Sequence, residues 1–505
     1  MTIHPGNIEG KTNGQSDRLV LVLVLVLVFL MAARTPLDTD LWWHLRAGEI
    51  TLQTGQPMLT DTLSYTRSSS PWINHSWLAE VGMALLFRVG GYLALSAAVA
   101  LLAAGSMAML YRQMSGPALL RAFVVLLATL VAAVVWSPRP QILSLFLLAL
   151  CSLILDDYRR KAINRLWLLP PIFVLWSNLH GGYPLGLMLI GASLAGDGID
   201  TLFAGVANRR SAWPRMRTLL IVLAACALVV VINPNGLNMW RIPFQTVGVG
   251  VLQDAIPEWA SPDFHDLIQQ PFLWMLVITV VCFALVGRRA HGADWITVVL
   301  FGVSGLMARR NFGPFAMVAA PILARYLMET WQAVAAANPW PGKRSDLAGW
   351  NRPVSAGLRK ATNLFLIAIL GLVACVKLYV VSQPQFVQAY ERTLFPVDAV
   401  NWLKENPQQG NLFNSYAWGG YLTWAYPEKA VFVDGRTDLY GDELIGDWLK
   451  VTQGSEGWQD VLRDWQVGFV LLEADQPVVK LLAEDGWKLV YRDDIAVVYQ
   501  RSLVQ

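Results

Sequence analysis

Residues 19–44, LVLVLVLVLVFLMAARTPLDTDLWWH, carry the decision about the fold. The run from Leu19 to Ala33 is almost pure Leu/Val and follows Lys11 and Arg18, and a helix of roughly 20 apolar residues is what crosses a bilayer. No small-residue cleavage site precedes Arg34, and many apolar runs follow, so the stretch reads as an uncleaved membrane helix and not as a signal peptide. Asp38, Asp40 and His44, beside Trp42 and Trp43, then fall where that helix leaves the membrane. Polar groups are costly at such a position unless they are used.

The rest of the chain agrees. Apolar residues make up 55% and charged residues 15% of 505, with positive mean hydropathy, more apolar surface than a soluble domain buries. A net charge of +3 spread along the chain gives no footprint for a nucleic-acid partner. Cys151, Cys226, Cys282 and Cys375 lie in apolar runs without CxxC spacing and read as packing residues. Further membrane-length runs centre near residues 101, 128, 147, 172, 194, 225, 279, 300, 321 and 372, giving eleven expected spans with the first; those flanking Asn178–Pro184 are short enough to be broken or re-entrant.

With the N-terminus inside and the spans alternating, nineteen Lys and Arg residues fall inside, from Lys11 and Arg18 through to Arg359 and Lys360, against eight in the outside loops before the last span. That asymmetry follows the positive-inside rule. The expected layout is a cytoplasmic tail (1–18), a transmembrane bundle (19–383) with an outer first loop (34–90), and a C-terminal periplasmic segment (384–505) at a bacterial inner membrane. In that last segment 411–416, 430–436, 467–474 and 495–501 are strand-like, and DELIGDWLKV and GWQDVLRDW have helical spacing, so a soluble α/β domain is expected.

The unusual polar residues gather on the expected outer face. They are Asp61, His75 and Glu80 in the first loop, Arg139 in WSPRPQ, Asn178 and His180 in WSNLHGGYP, Asn233 and Arg241 in INPNGLNMWRIP, and Arg309, Arg310 and Asn311 in ARRNFGP. Each later group ends a different span, which predicts a polar cavity at the outer end of a helical bundle. The duller readings are helix caps for Asp38 and Asp40, an aromatic belt for Trp42, Trp43, Trp72 and Trp77, snorkelling for Arg309 and Arg310, and a turn for Asp434, Arg436 and Asp438.

On DTDLWWHLRAGE, TDTLSYT, PWINHSWLAE, SPRPQ, NLHGGYPLG and WGGYLTW followed by FVDGRTDLYG, the chain resembles the GT-C class of membrane glycosyltransferases, and more narrowly a large group of bacterial proteins with this layout. The resemblance implies a polyprenyl-phosphate or polyprenyl-diphosphate sugar donor and transfer to an acceptor at the periplasmic face, with the lipid-linked donor and membrane lipids as partners. WGGY is similar in position to the WWDYG segment of oligosaccharyltransferase catalytic subunits, but Gly419 and Gly420 follow Trp418 with no Asp, so peptide recognition by that motif is not supported.

Glycosyl transfer from a lipid phosphate needs a base for the acceptor hydroxyl and positive charge for the leaving phosphate. Asp38 or Asp40 is the candidate base, and Arg139, Arg309 and Arg310 are the candidate phosphate ligands, a guanidinium being a bidentate and permanently charged partner. His44, His75, Glu80, Asn178, His180, Arg241, Asp434 and Arg436 are assigned to the cavity or the acceptor. If DLWWHL is helical, Asp40 and His44 share a face, and with His180 they form a conceivable site for Mg or Mn. A lipid-linked-glycan flippase or other transporter, and a non-catalytic scaffold, are the alternatives. The oligomeric state is not legible.

Overall fold

The computed structural model describes residues 14–203, 206–244, 256, 258–287, 290–337 and 356–501. Of the charges counted above, Lys11, Arg288, Arg289, Lys343, Arg344 and Arg352 lie outside the described residues. Every expected apolar run is helical. The helices are α1 (Gly14–Ala32), α2 (Leu41–Thr54), α3 (Trp77–Gln113), α4 (Ala118–Ala132), α5 (Gln141–Arg160), α6 (Leu169–Leu179), α7 (Tyr183–Leu202), α8 (Val206–Val229), α9 (Gln270–Val286), α10 (Gly292–Met307), α11 (Phe312–Ala337) and α12 (Ala356–Val381). Only α2 is not one of those runs. Six helices among the described residues have the length and composition to cross a membrane; the chain is a polytopic helical membrane protein.

Packing follows composition. Residues Phe312–Ala324 of α11 are buried without interruption, as expected for a helix apolar on every side. At the other extreme α12 exposes Leu364, Phe365 and Leu372, a surface suited to lipid. The long helix α3 bends at Gly91, whose φ of 54° and ψ of −140° break the helical path at a residue that has no Cβ to oppose a positive φ.

Polarity divides the bundle lengthwise. At one end α1 stops, α5 starts after Ser137–Pro140, α6 stops at His180, and α10 gives way to Arg309 and Arg310. The opposite end is sealed by ion pairs. Asp294 accepts from Arg325 (2.7 Å), Arg160 (3.0 Å) and the Tyr326 hydroxyl (2.7 Å), while Asp197 takes Arg159 and Arg215, each at 3.0 Å.

Beyond α12 come α13 (Pro384–Leu394), α14 (Val397–Glu405), β1 (Asn411–Asn414), α15 (Tyr416–Ala425), α16 (Thr437–Gln453), α17 (Trp458–Asp464), β2 (Val467–Glu473), α18 (Val478–Glu484), β3 (Lys488–Arg492) and β4 (Ala496–Gln500). The sheet runs β1-β2-β4-β3, with β1 parallel to β2 and the other pairs antiparallel. Two readings change here. Residues 430–436 are not a strand: Val431 makes one isolated bridge to Ser64, and Phe432 and Val433 are held by the Asn414 side chain (2.8 Å each) and by Thr66 (2.6 Å). The fourth strand is instead Lys488–Arg492, a half-exposed edge whose charged ends hide it from a hydrophobicity reading.

This region is packed onto the first loop through a shared core. Trp42 of α2 is nearly fully buried against Tyr421 and Trp424 of α15 and Phe395, at ring separations of 5.5, 6.1 and 6.1 Å. Burying aromatics of this size contributes about 1.5–3 kcal/mol each, which anchors α2 between the bundle and the sheet.

Candidate active site

Asp38, Thr39 and Asp40 form a short turn in which the Asp38 carboxylate accepts the Asp40 backbone N–H at 2.9 Å. Asp40 is the N-cap residue of α2, yet its side chain makes no capping bond. It turns instead to Arg139 Nη1 (2.9 Å) and the Trp43 indole N–H (3.1 Å). Arg139, placed by the prolines on either side of it, also donates to Asp38 and to Glu258 (3.2 Å). One guanidinium thus holds three carboxylates. Burial raises the Asp40 carboxyl to about 7, Arg139 pulling against it and the Asp38 and Glu258 charges adding to it, a range suited to proton transfer near neutral pH.

These groups face a cavity of about 540 Å³. The bundle side of its lining includes Arg139, Arg309, Arg310, Glu258 and Trp259; the C-terminal region supplies residues 415–417, 435, 437–438, 448, 473 and 476. The Arg310 guanidinium carbon lies over Trp259, 3.9 Å from the ring centre, and the Arg310 backbone N–H donates to the Glu258 carbonyl at 3.0 Å. A recess of about 120 Å³ extends the cavity past Arg309 and Arg310 to Asp38.

Three histidines line the same cavity, and their hydrogen bonds assign the tautomers. His44 Nδ1 lies 3.1 Å from Glu80 Oε1, and Asn74 donates to the other Glu80 oxygen at 2.7 Å. Burial, with the Arg139 charge next, holds His44 well below its ordinary pKa. With Glu80 ionised, the neutral ring gives its Nδ1–H to Glu80 and leaves the Nε2 lone pair without a hydrogen bond among the described residues. His75 and His180 are the reverse: His75 Nδ1 accepts the Gly181 N–H (3.2 Å), and His180 Nδ1 accepts the Gly182 N–H (3.1 Å). Ser144, which takes the Trp176 indole N–H at 2.7 Å, gives its hydroxyl proton to His180 at 2.7 Å. Burial above all, with the Arg310 charge adding to it, keeps His180 well below its ordinary value. Both rings present Nε2–H.

Glycine in the motifs is explained by close approach. A Cβ on Gly435 would collide with the Asp40 carboxylate and sit 3.0 Å from the Trp43 indole nitrogen; one on Gly420 would lie 2.6 Å from the Thr39 carbonyl. WGGY and VDGR are thus the floor on which DTD rests. Beneath it Arg436, fully buried, joins Asp61 and Asp434 at 2.7 Å each, tying the first loop to the C-terminal region.

Several assigned residues move. Asp40, Arg139, Arg309, Arg310, His44, His75 and His180 share the main cavity, and Asp38 borders its recess. Glu80 stands behind His44. Asp434 and Arg436 are buried below the floor, where an ion pair of zero exposure holds structure together and cannot meet an acceptor. Asn178 is spent on Trp77, Val174 and Ile232 (2.8 Å each). Arg241 ends a short 3-10 turn that buries Met239 and leaves the arginine exposed, outside the cavity. Arg139 is not an unpaired cation awaiting phosphate. Among the described residues no three His, Cys, Asp or Glu side chains converge as a metal site: Asp40, His44 and His180 turn to Arg139, Glu80 and Ser144. Glu258 and Trp259 were missed; an acid beside Trp in PEWASP, on the expected outer face, was the available signal. Tyr416, Asp438 and Glu473 converge only through tertiary folding.

By sequence, no protein-family model and no curated protein matches the chain. By structure, ArnT from Cupriavidus metallidurans in the apo state is similar, with a TM-score of 0.51 and 14% identity over 97% of this chain and 98% of that one. A structure of ArnT from the same organism bound to undecaprenyl phosphate gives a TM-score of 0.47, with the same identity and coverage. The chain has a GT-C-like fold.

Proposed function

We propose that this chain is a membrane glycosyltransferase that moves a sugar from a polyprenyl-phosphate or polyprenyl-diphosphate donor to an acceptor hydroxyl. The observation that carries the reading is the single cavity that joins a carboxyl near 7, Asp40, to two arginines, Arg309 and Arg310, at the polar end of a GT-C-like bundle. The donor phosphate lies on Arg310 and Arg309, with the Nε2–H groups of His75 and His180 as further donors beside them. Asp40 takes the acceptor proton as that oxygen bonds to the anomeric carbon and the carbon–oxygen bond to the lipid phosphate breaks. Arg310 meets the charge gathering on the departing phosphate, a task such groups perform for about 10²–10³ in rate. Arg139 is a positioning residue: it fixes Asp40 and joins Asp38 to Glu258.

The ion pairs at the far end of the bundle support transfer over transport. They leave a pocket of only about 40 Å³ there, where alternating access needs a second opening. The cations at that end, Arg159, Arg160, Lys161, Arg165 and Arg215, support its placement in the cytoplasm, which puts the cavity and residues 384–505, read as an α/β domain, at the periplasmic face.

The test is turnover of radiolabelled polyprenyl-phosphate sugars by purified protein. Asp40→Asn and Arg310→Ala are each expected to lose about 10²–10³ of the rate, and equal turnover in all three forms refutes the assignment. The Glu80–His44 pair favours a second destination for the proton, the His44 lone pair; loss in His44→Gln with Asp40→Asn active would select it.

A further inference from the structure

The cavity is polarised in a way the transfer chemistry does not require. Its three arginines, Arg139, Arg309 and Arg310, come from the bundle wall. The lining from the C-terminal region carries Asp438 and Glu473, neither with an ion-pair partner among the described residues. Each carboxylate is anchored by neutral donors: Asp438 by the Trp72 indole N–H at 3.2 Å, and Glu473 by the Ser415 hydroxyl and by Gln476 at 3.3 Å. Both residues line the cavity.

Two further observations give this wall a ligand. Tyr416 and Trp448 line it with ring centres 5.7 Å apart and planes inclined by 55°, and Trp448 is pinned by an indole N–H bond of 3.1 Å to the Asn414 carbonyl. Independently, His44, only 5% exposed, lines the same cavity, and its Nε2 makes no hydrogen bond among the described residues. Aromatic faces beside hydrogen-bond acceptors fit a ring with apolar faces and hydroxyl donors at its rim. Unpaired carboxylates reject an anion by the same field that accepts hydroxyls.

We propose that Tyr416, Asp438, Trp448 and Glu473, with His44 in the same cavity, form a saccharide subsite that takes an uncharged sugar ring and excludes acidic ones. It rests on the transferase reading and deepens it: phosphate sits at the arginine pole and neutral carbohydrate at the carboxylate pole, with Asp40 between them.

The experiment uses the full chain in lipid nanodiscs and three probes titrated separately by calorimetry: chitotriose, which is uncharged; trigalacturonate, which carries a carboxylate on each ring; and undecaprenyl phosphate. Wild type is expected to bind chitotriose at least about tenfold more tightly than trigalacturonate. Asp438→Asn with Glu473→Gln closes that gap to within about threefold, and Trp448→Ala weakens chitotriose by about tenfold. Undecaprenyl phosphate binding is unchanged in these variants and lost in Arg310→Ala, with melting curves confirming that each is folded. Equal affinity of wild type for the two saccharides, a gap that persists in the double variant, or absence of chitotriose binding while undecaprenyl phosphate binds overturns the subsite and leaves the donor reading standing. Failure of undecaprenyl phosphate to bind wild type counts against the donor reading itself.

Discussion

Gly435→Ala adds one methyl group at a position where the structure has no room for it. The new Cβ lies far inside the 3.0 Å limit that real Cβ atoms keep, and what it meets is the Asp40 carboxylate, with the Trp43 indole nitrogen at 3.0 Å. Backbone on the glycine side cannot yield, because Asp434 and Arg436 on either side are locked into the buried pair with Asp61. Asp40 must therefore retreat by about 1 Å, and a displacement of that size at a reacting group costs on the order of 100-fold in rate, or about 2.7 kcal/mol of transition-state stabilisation. The overpacking itself costs about 1–3 kcal/mol of stability. Donor turnover, measured beside thermal melting, reads the two separately. Gly446→Ala, at a helical glycine with nothing within 4 Å, is the control and retains both activity and stability. Turnover of Gly435→Ala within threefold of wild type, in protein that melts normally, would show that the position of Asp40 does not matter and would refute the reasoning.

Arg436→Met strands Asp61 and Asp434 in a fully buried setting, and a loss of about 3–5 kcal/mol is expected in equilibrium or thermal unfolding. In the pH profile of kcat/KM the Asp40 carboxyl, raised to about 7, must be ionised to act as a base; activity falls about tenfold per unit well below that value and levels off above it. Asp38→Asn removes a charge that raises Asp40 and frees Arg139 to hold it more closely, so the acid limb moves to lower pH. Gly182→Ala drives a Cβ into Ser144 and to within 2.9 Å of His180 Nδ1, which unfixes the Nε2–H donor; KM for the lipid-linked donor rises about tenfold while kcat falls less. At the far end Arg325→Met takes one partner from Asp294; the melting temperature drops and kcat/KM is unchanged, separating structural ion pairs from those at the site.

The bundle was legible because its signal is length and apolarity, and the bilayer imposes both on each helix separately. The C-terminal region was legible only in part. Strands β1, β2 and β4 are buried runs and announce themselves, whereas β3, an exposed edge, spends its sequence on solvent. Residues 430–436 misled for the opposite reason. Val431, Phe432 and Val433 have strand composition and are fully buried, but their backbone groups are satisfied by the side chains of Asn414 and Thr66 and by the Leu63–Tyr65 backbone. Burial selects the residue types, and a sequence does not say whether a ladder or a set of side chains supplies the hydrogen bonds.

The site divides along the same line. Asp40, His44, His180 and Arg310 could be nominated singly, since each is polar where a span ends and such groups are kept for use. What a residue does there depends on who its neighbours are, and those come from segments up to hundreds of positions away. Arg139 reads from sequence as a cation available to phosphate, yet with Asp38, Asp40 and Glu258 around it its charge is already met. A guanidinium in that state attracts a phosphate weakly and holds carboxylates strongly. The arginine left facing the cavity from an aromatic shelf, Arg310 over Trp259, is the one whose charge is available to a ligand. The two arginines look alike in the sequence. Replacing each with alanine separates them: Arg310→Ala loses affinity for undecaprenyl phosphate, whereas Arg139→Ala keeps that affinity within about threefold and loses turnover instead, because Asp40 drifts. Loss of lipid-phosphate affinity in Arg139→Ala comparable to that in Arg310→Ala would return Arg139 to the role its sequence context first suggests.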